Sequence, residues 1–161
     1  MRSFLLVILT VLATQACSES DAILKDAIDA VDANVVFMRH AVAPGFGDPD
    51  NFSLSDCSTQ RNLDTRGRKQ ARAIGASIQK SGIRFDQILS SEWCRCKETA
   101  LIGFENYETR NFLNSFFSLD FKKNKKKKLK NLKEYVNGWQ SEKNLILITH
   151  FVVISEALDY T

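Results

Sequence analysis

Histidine is nearly absent from this chain, and so is any cysteine pairing suited to a metal. There are two histidines, His40 and His150, and four cysteines, with no Cys-x-x-Cys spacing. Such a ligand set speaks against zinc, which takes four N, S or O donors at short spacings. Nor do the carboxylates cluster in the sequence. The one long apolar stretch, Phe4 to Ala13, is too short to span a bilayer, which takes about 20 residues. Strong net charge is lacking too. The formal balance is +3, and the lysine-rich block Lys122–Lys130 carries more than that excess, so the remainder is slightly acidic. Binding of nucleic acid by the whole protein is therefore not implied.

What is present suits one globular domain. The 161 residues can bury one proper core, and 25% charged with 44% hydrophobic residues is ordinary for a soluble fold. Residues 1–17 stand apart. A short positive start at Met1-Arg2, the apolar segment and Ala16-Cys17 follow the order of a secretory signal. A cysteine after a small residue resembles the bacterial lipoprotein cleavage box, with cleavage before Cys17 and lipid on it, although Thr14 and Gln15 depart from the preferred residues. The plainer alternative is an uncleaved anchor. The expectation is export, to a periplasmic or membrane-anchored site. In an oxidising compartment Cys57, Cys94 and Cys96 can form a disulfide. Cys94 and Cys96 are too close to bridge each other easily, which leaves Cys57 with Cys94 or Cys96.

Residues 18–33 read as a linker or short helix, and 34–161 as the domain. Val35-Val36-Phe37-Met38, ending in Arg39-His40, reads as a strand buried on both faces. A loop of about twenty residues follows, Ala43 to Asn62, marked by Pro44-Gly45 and Gly47-Asp48-Pro49; loops of this length inside compact domains are often functional. Asp64 caps a helix with Ala71, Ile74 and Ile78 inward and Arg66, Arg68, Lys69 and Arg72 on a wet face; Ser81-Gly82 stops it. Phe85 to Ser91 is a second strand, and Ser90-Ser91 caps a helix from Glu92 to Phe104. Tyr107 to Phe121 reads as either strand or loop, with Phe112, Leu113, Phe116 and Phe117 partly buried. Leu129, Leu132, Val136 and Trp139 then form one helical stripe. The lysines of that helix are its solvated face or, in a tethered protein, a contact for anionic lipid. Asn144 to Thr149 is a further strand, closed by His150 and followed by a covering helix. This order of elements makes an α/β fold, three layers with a mostly parallel central sheet.

In a parallel sheet the strand ends meet at one edge, where ligands bind. There Arg39, His40, Ser90, Ser91, Arg95 and His150 converge. A single histidine after a strand is more often structural; two, each closing an apolar run, point to function. Arginine forks suit phosphate oxygens, and Arg95 sits near a helix N-terminus. An imidazole beside fixed positive charge has a lowered pKa and a free nitrogen at neutral pH, so one histidine can attack phosphorus while the other stabilises charge. This chemistry needs neither metal nor cofactor.

At four places the chain resembles the histidine phosphatase superfamily, with its phosphoglycerate-mutase-like fold: Val-Phe-Met-Arg39-His40-Ala41, Leu63-Asp64 through Gly67 to Gln70-Ala71, Ser90-Ser91 through Arg95 to Thr99-Ala100, and Thr149-His150. Asp-Cys57-Ser-Thr-Gln-Arg61-Asn-Leu and Trp93-Cys94-Arg95-Cys96 look like an exported, cysteine-bearing subgroup. The resemblance implies that His40 is the nucleophile, becoming phosphohistidine, and that Arg39, Arg95 and His150 hold the phosphoryl group, with Arg61 at the rim. Ala41 replaces the usual glycine. The proton-donating carboxylate that many members carry between the second arginine and the last histidine is missing from Phe112–Phe116, and Asp56 is the loop carboxylate to consider in its place. A closing strand that the resemblance implies after His150 has little room, whether from truncation or a shorter sheet edge.

The sequence thus points to an exported phosphohydrolase acting on a small phosphate ester, a phosphoprotein or a phosphoramidate. Its partner is a phosphorylated substrate rather than nucleic acid, with membrane attachment through N-terminal lipid. The rival readings are a non-catalytic phosphate- or polyanion-binding domain on the same fold, and a membrane-surface adaptor acting through Lys122–Lys130.

Overall fold

The computed structural model describes residues 25–26, 28–30, 32–117, 122–139, 142 and 144–159. The expected leader, with Cys17, lies outside the described residues, as does most of segment 18–33, of which 25–26 and 28–30 are helical. The sheet is built from β1 (Val35–Arg39), β2 (Phe85–Ser90), β3 (Glu108–Thr109) and β4 (Asn144–Thr149), in the spatial order β1-β4-β2-β3 with every pairing parallel. The helices are α1 (Thr65–Lys80), α2 (Cys94–Phe104), α3 (Lys125–Asn137) and α4 (Phe151–Ala157), with single 3-10 turns at Cys57–Thr59 and Asn111–Leu113. This is the three-layer α/β architecture expected from the order of apolar runs.

The strand buried on both faces is β4, not β1. Leu145, Ile146, Leu147 and Ile148 are each at most 1% exposed. By the alternation of the pleat, Leu145 and Leu147 join Phe112, Leu113, Phe116, Leu132 and Val153 on one face. Ile146 and Ile148 join Trp93, Cys96 and Ala100 on the other. β1 pairs with β4 alone among the described strands; Val35 to Met38 are only half-buried and Arg39 is exposed. An apolar run of four cannot by itself distinguish a central strand from an edge strand, since both present hydrophobic side chains to at least one layer.

Three further expectations shift. α2 begins at Cys94 with Trp93 as its N-cap, and no side chain caps it among the described residues; the Trp93 N–H, which precedes the helix, reaches Ser91 Oγ at 3.3 Å, while that hydroxyl also pairs with Asn114 and His150. The open segment after Tyr107 holds both a two-residue strand and a 3-10 turn, with residues 118–121 outside the description. Phe112 and Phe116 are buried there, whereas Phe117 is 57% exposed. The α3 stripe lies as expected: Leu132 is fully buried, with Leu129, Val136 and Trp139 packed on the same cluster.

Asp64 caps α1 by accepting the Gly67 N–H at 2.7 Å. α1 then packs on α2 at a crossing of two glycines. A Cβ on Gly75 would lie 2.3 Å from the Gly103 carbonyl oxygen, whereas one on Gly103 would meet nothing closer than 3.4 Å. Gly75→Ala therefore forces backbone against backbone, and its helix-propensity gain of about 1 kcal/mol is outweighed by overpacking of about 1–3 kcal/mol or more. In urea unfolding, Gly75→Ala is expected to lower stability and Gly103→Ala to leave it unchanged or raise it; equal effects from both would disprove the asymmetry.

Candidate active site

Parallel register brings the ends of β1, β4 and β2 side by side, and backbone hydrogen bonds hold them there. The His40 N–H donates to Thr149 O and the Ser91 N–H to Ile148 O, each at 2.9 Å. Beyond β1 the chain is fastened again. The Ala41 N–H donates to Thr99 Oγ1 at 3.0 Å, and the Val42 N–H to Gln70 Oε1 at 2.9 Å. A Cβ on Gly67 would fall 2.0 Å from Val42 O, so only glycine lets the loop lie this close to α1. These are the roles of Gly67, Gln70 and Thr99 in the spaced motifs.

His40 is buried, and its ring lies edge-on to that of His150 with centroids 5.4 Å apart. His40 Nδ1 is 2.7 Å from Ala41 O, an atom that can only accept, so Nδ1 carries the proton and Nε2 is bare. Burial, reinforced by the charges of Arg95, Arg39 and Arg61, pushes its pKa down to about 4, against the pull of that hydrogen bond. The imidazole is neutral at pH 7.

Burial also drives the pKa of His150 well below the ordinary value, helped by Arg95 and His40. Its tautomer follows from its neighbours. The Glu92 N–H donates to Asn114 Oδ1 at 2.8 Å, and Asn114 Nδ2 donates to Glu92 Oε2 at 2.5 Å, which fixes the amide orientation. Ser91 Oγ must then donate to Asn114 Oδ1, at 3.0 Å, and accept from His150 Nε2, also at 3.0 Å. His150 is thus protonated on Nε2. Asn114 occupies the segment where the resemblance implies a carboxylate, and it orients His150 through Ser91.

Cys96, also against His150, has its thiol pushed up to about 12 by burial, so it packs rather than reacts. Cys57 bridges Cys94, and Cys96 is the free member of the two alternatives.

The loop from Ala43 to Asn62 closes the site. The disulfide ties it to the first turn of α2. Gln60 adds a second tie, accepting the Cys94 N–H at 2.9 Å while donating to Ser53 O and Leu54 O at 2.9 and 3.2 Å. Arg61 turns back into its own loop, with Nε donating to Gly47 O at 2.8 Å and Nη1 to Ala43 O. Positive φ at Gly45 and Gly47, 91° and 69°, makes the bend.

The result is a cavity of about 500 Å³, within the usual range for small-molecule sites. Arg39, His40, Arg61, Arg95 and His150 all line it, so the structure brings these sequence-derived candidates together. Asp56 is not among the lining residues. It is exposed and caps the 3-10 turn, accepting the Ser58 N–H and hydroxyl at 2.9 and 2.8 Å.

The cavity also has residues that no sequence motif marks. Asp48 receives both Nη atoms of Arg95, at 2.7 and 3.1 Å, and the exposed Phe46, Phe117 and Phe151 stand at its mouth. Asp48 was readable only as part of a Gly-Asp-Pro turn, and scattered phenylalanines carry no motif. Arg95 is 3% exposed, and among the described residues its Nε has no hydrogen-bond partner. A buried guanidinium N–H left unpaired costs about 1–3 kcal/mol or more, so this donor is suited to an anion.

No curated protein matches the chain by sequence. Among solved structures, the protein histidine phosphatase SixA complexed with tungstate is 17% identical, with 77% of this chain and 73% of that one covered at a TM-score of 0.53. A protein assigned as the phosphohistidine phosphatase SixA of Agrobacterium tumefaciens is 19% identical, with coverages of 78% and 74% and a TM-score of 0.56. One assigned as an alpha-ribazole-5'-P phosphatase of Escherichia coli is 16% identical, with 77% of each chain covered and a TM-score of 0.57. At these identities the likeness is one of fold. The family itself comes from sequence: the family model for the histidine phosphatase superfamily (branch 1) matches residues 35–145, most of the chain from β1 into β4, and the protein belongs to that superfamily.

Proposed function

We propose that the protein is a phosphohydrolase that works through a phosphohistidine on His40. Membership of the superfamily supports a phosphatase. The observation that carries the mechanism is a neutral His40 with its bare Nε2 in a cavity that Arg39, Arg61, Arg95 and His150 also line. Nε2 bonds to phosphorus as the bond to the leaving group breaks, and the leaving group departs with the electron pair. Water then attacks phosphorus and gives up a proton to solvent. The N–P bond breaks, its electron pair returns to Nε2, and orthophosphate leaves. Arginine N–H groups aimed at the phosphoryl oxygens stabilise the charge that develops on them.

The leaving group must be a good one. Asn114, which cannot supply a proton as an acid, stands in the segment where a carboxylate was sought, and general acid help is typically worth about 100- to 10,000-fold. Of the carboxylates lining the cavity, Asp48 is bound to Arg95 and Asp50 lies exposed at the rim. Phe46 is 87% exposed and meets Phe117 edge-on at 5.2 Å, which provides an apolar surface beside the opening. Together these favour an aryl phosphate or a phosphoramidate with a flat leaving group. Export completes the proposal, on the signal-like order of residues 1–17 and the Cys57–Cys94 bridge, which suits an oxidising compartment.

Four outcomes are expected. Aryl phosphate turnover by the mature protein should fall on the order of 10⁴-fold in His40→Ala, with acid-labile phosphate trapped on wild type only; retained turnover would remove His40 as nucleophile. Aryl phosphates should exceed alkyl phosphates in kcat/KM by about 100-fold or more, and parity would point to an acid elsewhere. The His40 ring, assigned by its loss in His40→Ala, should titrate near pH 4 by NMR rather than near 6.5. Because the folded state takes up that proton later than the unfolded state, stability should fall as pH drops from 6.5 toward 4. A midpoint near 6.5 is incompatible with the neutral nucleophile.

A further inference from the structure

We propose that Asp48 is the positioning residue of the phosphate pocket. It holds the terminal edge of the Arg95 guanidinium so that the side edge, Nε–H with the second Nη2–H, is left as a fork for two phosphoryl oxygens. This rests on the phosphate-binding part of the reading above.

A guanidinium is a rigid plane with five N–H donors, arranged as two usable edges. The terminal edge joins Nη1 and Nη2, and the side edge joins Nε and Nη2. Asp48 takes the terminal edge: Oδ1 lies 2.7 Å from Nη1 and Oδ2 lies 3.1 Å from Nη2. The remaining Nη1–H donates to Arg61 O at 3.2 Å. The side edge is what remains, and its Nε is buried and without a partner among the described residues. Two parallel N–H bonds at such an edge match the spacing of two phosphate oxygens. Carboxylate and phosphate therefore use different edges of one arginine. Substrate need not displace Asp48.

Asp48 is itself held from behind. The Arg61 N–H donates to Oδ1 at 3.0 Å and Trp93 Nε1–H to Oδ2 at 3.1 Å, so four donors converge on one carboxylate. Burial alone would raise its pKa, but the hydrogen bonds from Arg95, Arg61 and Trp93, with the Arg95 charge, outweigh it and hold the carboxyl below the usual aspartate range. It stays ionised at neutral pH. A guanidinium as buried as Arg95 needs a counter-ion. Asp48 serves throughout the cycle, so Arg95 keeps its aim when orthophosphate has left.

The test uses equilibrium binding of inorganic phosphate, which does not depend on turnover. Asp48→Asn, which keeps the volume, should raise the phosphate dissociation constant about 10- to 100-fold, as loss of an outer-shell partner does at metal sites. In an Arg95→Ala background, adding Asp48→Asn should change it by less than about 2-fold, because Asp48 acts through Arg95. Rescue is expected in part from Asp48→Glu, which restores the charge. Tighter phosphate binding in Asp48→Asn would show a competing plug and overturn the proposal. So would an unchanged constant, or an equal loss in both backgrounds. The melting temperature of each variant is measured alongside, so that a constant referred to folded protein separates aim from collapse. A wild-type protein that binds phosphate but turns nothing over would sink the phosphatase reading and leave this one standing.

Discussion

Burying a guanidinium is the constraint on which this structure turns. Removing a charge from water costs several kcal/mol even after relaxation, and it is tolerated only when a partner of opposite sign is held in good geometry. Arg95 projects from the first turn of α2 into the protein, and Asp48 is that partner. Asp48 belongs to no regular element, so a loop of about twenty residues must be made rigid enough to deliver it. The Cys57–Cys94 bridge, the Gln60 side chain and the Arg61 clamp on Ala43 and Gly47 all serve that end. A disulfide typically contributes about 2–4 kcal/mol, comparable with the cost that the loop has to offset. A surface loop has here become a wall of the site.

The same low-dielectric setting determines the protons. Three arginines and two imidazoles line one cavity, and desolvation with mutual repulsion leaves the imidazoles to give up charge, since arginine cannot. Carbonyl and amide partners then choose the tautomers. Ala41 O keeps the His40 proton on Nδ1, and the Glu92–Asn114–Ser91 chain keeps the His150 proton on Nε2. His40 is thus neutral, with Nε2 unprotonated and no assisting base required to make it so. In the proposed reaction the leaving group has no comparable provision, and that asymmetry is the ground for proposing phosphates with good leaving groups.

Legibility varied with the range of the interaction involved. α1 was readable from Asp64, its inward alanine and isoleucines, and Ser81-Gly82, because caps and periodicity are local. So were β4 and the stripe of α3. The shared edge carrying Arg39, His40, Arg95 and His150 followed from parallel topology, which needs only the alternation of strands and helices. Position within the sheet was not local: β1 and β4 look alike as apolar runs, yet β1 takes the edge among the described strands. The capping role assigned to Ser90-Ser91 failed for a related reason, since Ser91 is recruited by His150 and Asn114 from distant segments.

Residue types and spacing alone determined the family, the α/β class, the converging pair of histidines and the choice of Cys57 as one half of a bridge. These depend on short-range order or on a motif that survives as a string. Tertiary structure decided what depends on which groups exclude water together. It paired Cys57 with Cys94, sent Asp56 to a solvent-exposed turn, and placed Asn114 behind His150. It also turned Asp48, an unremarked member of a Gly-Asp-Pro bend, into the counter-ion of a buried arginine. Desolvation is the reason, because the free energy of a charge is a property of its surroundings and a sequence does not state what those surroundings are.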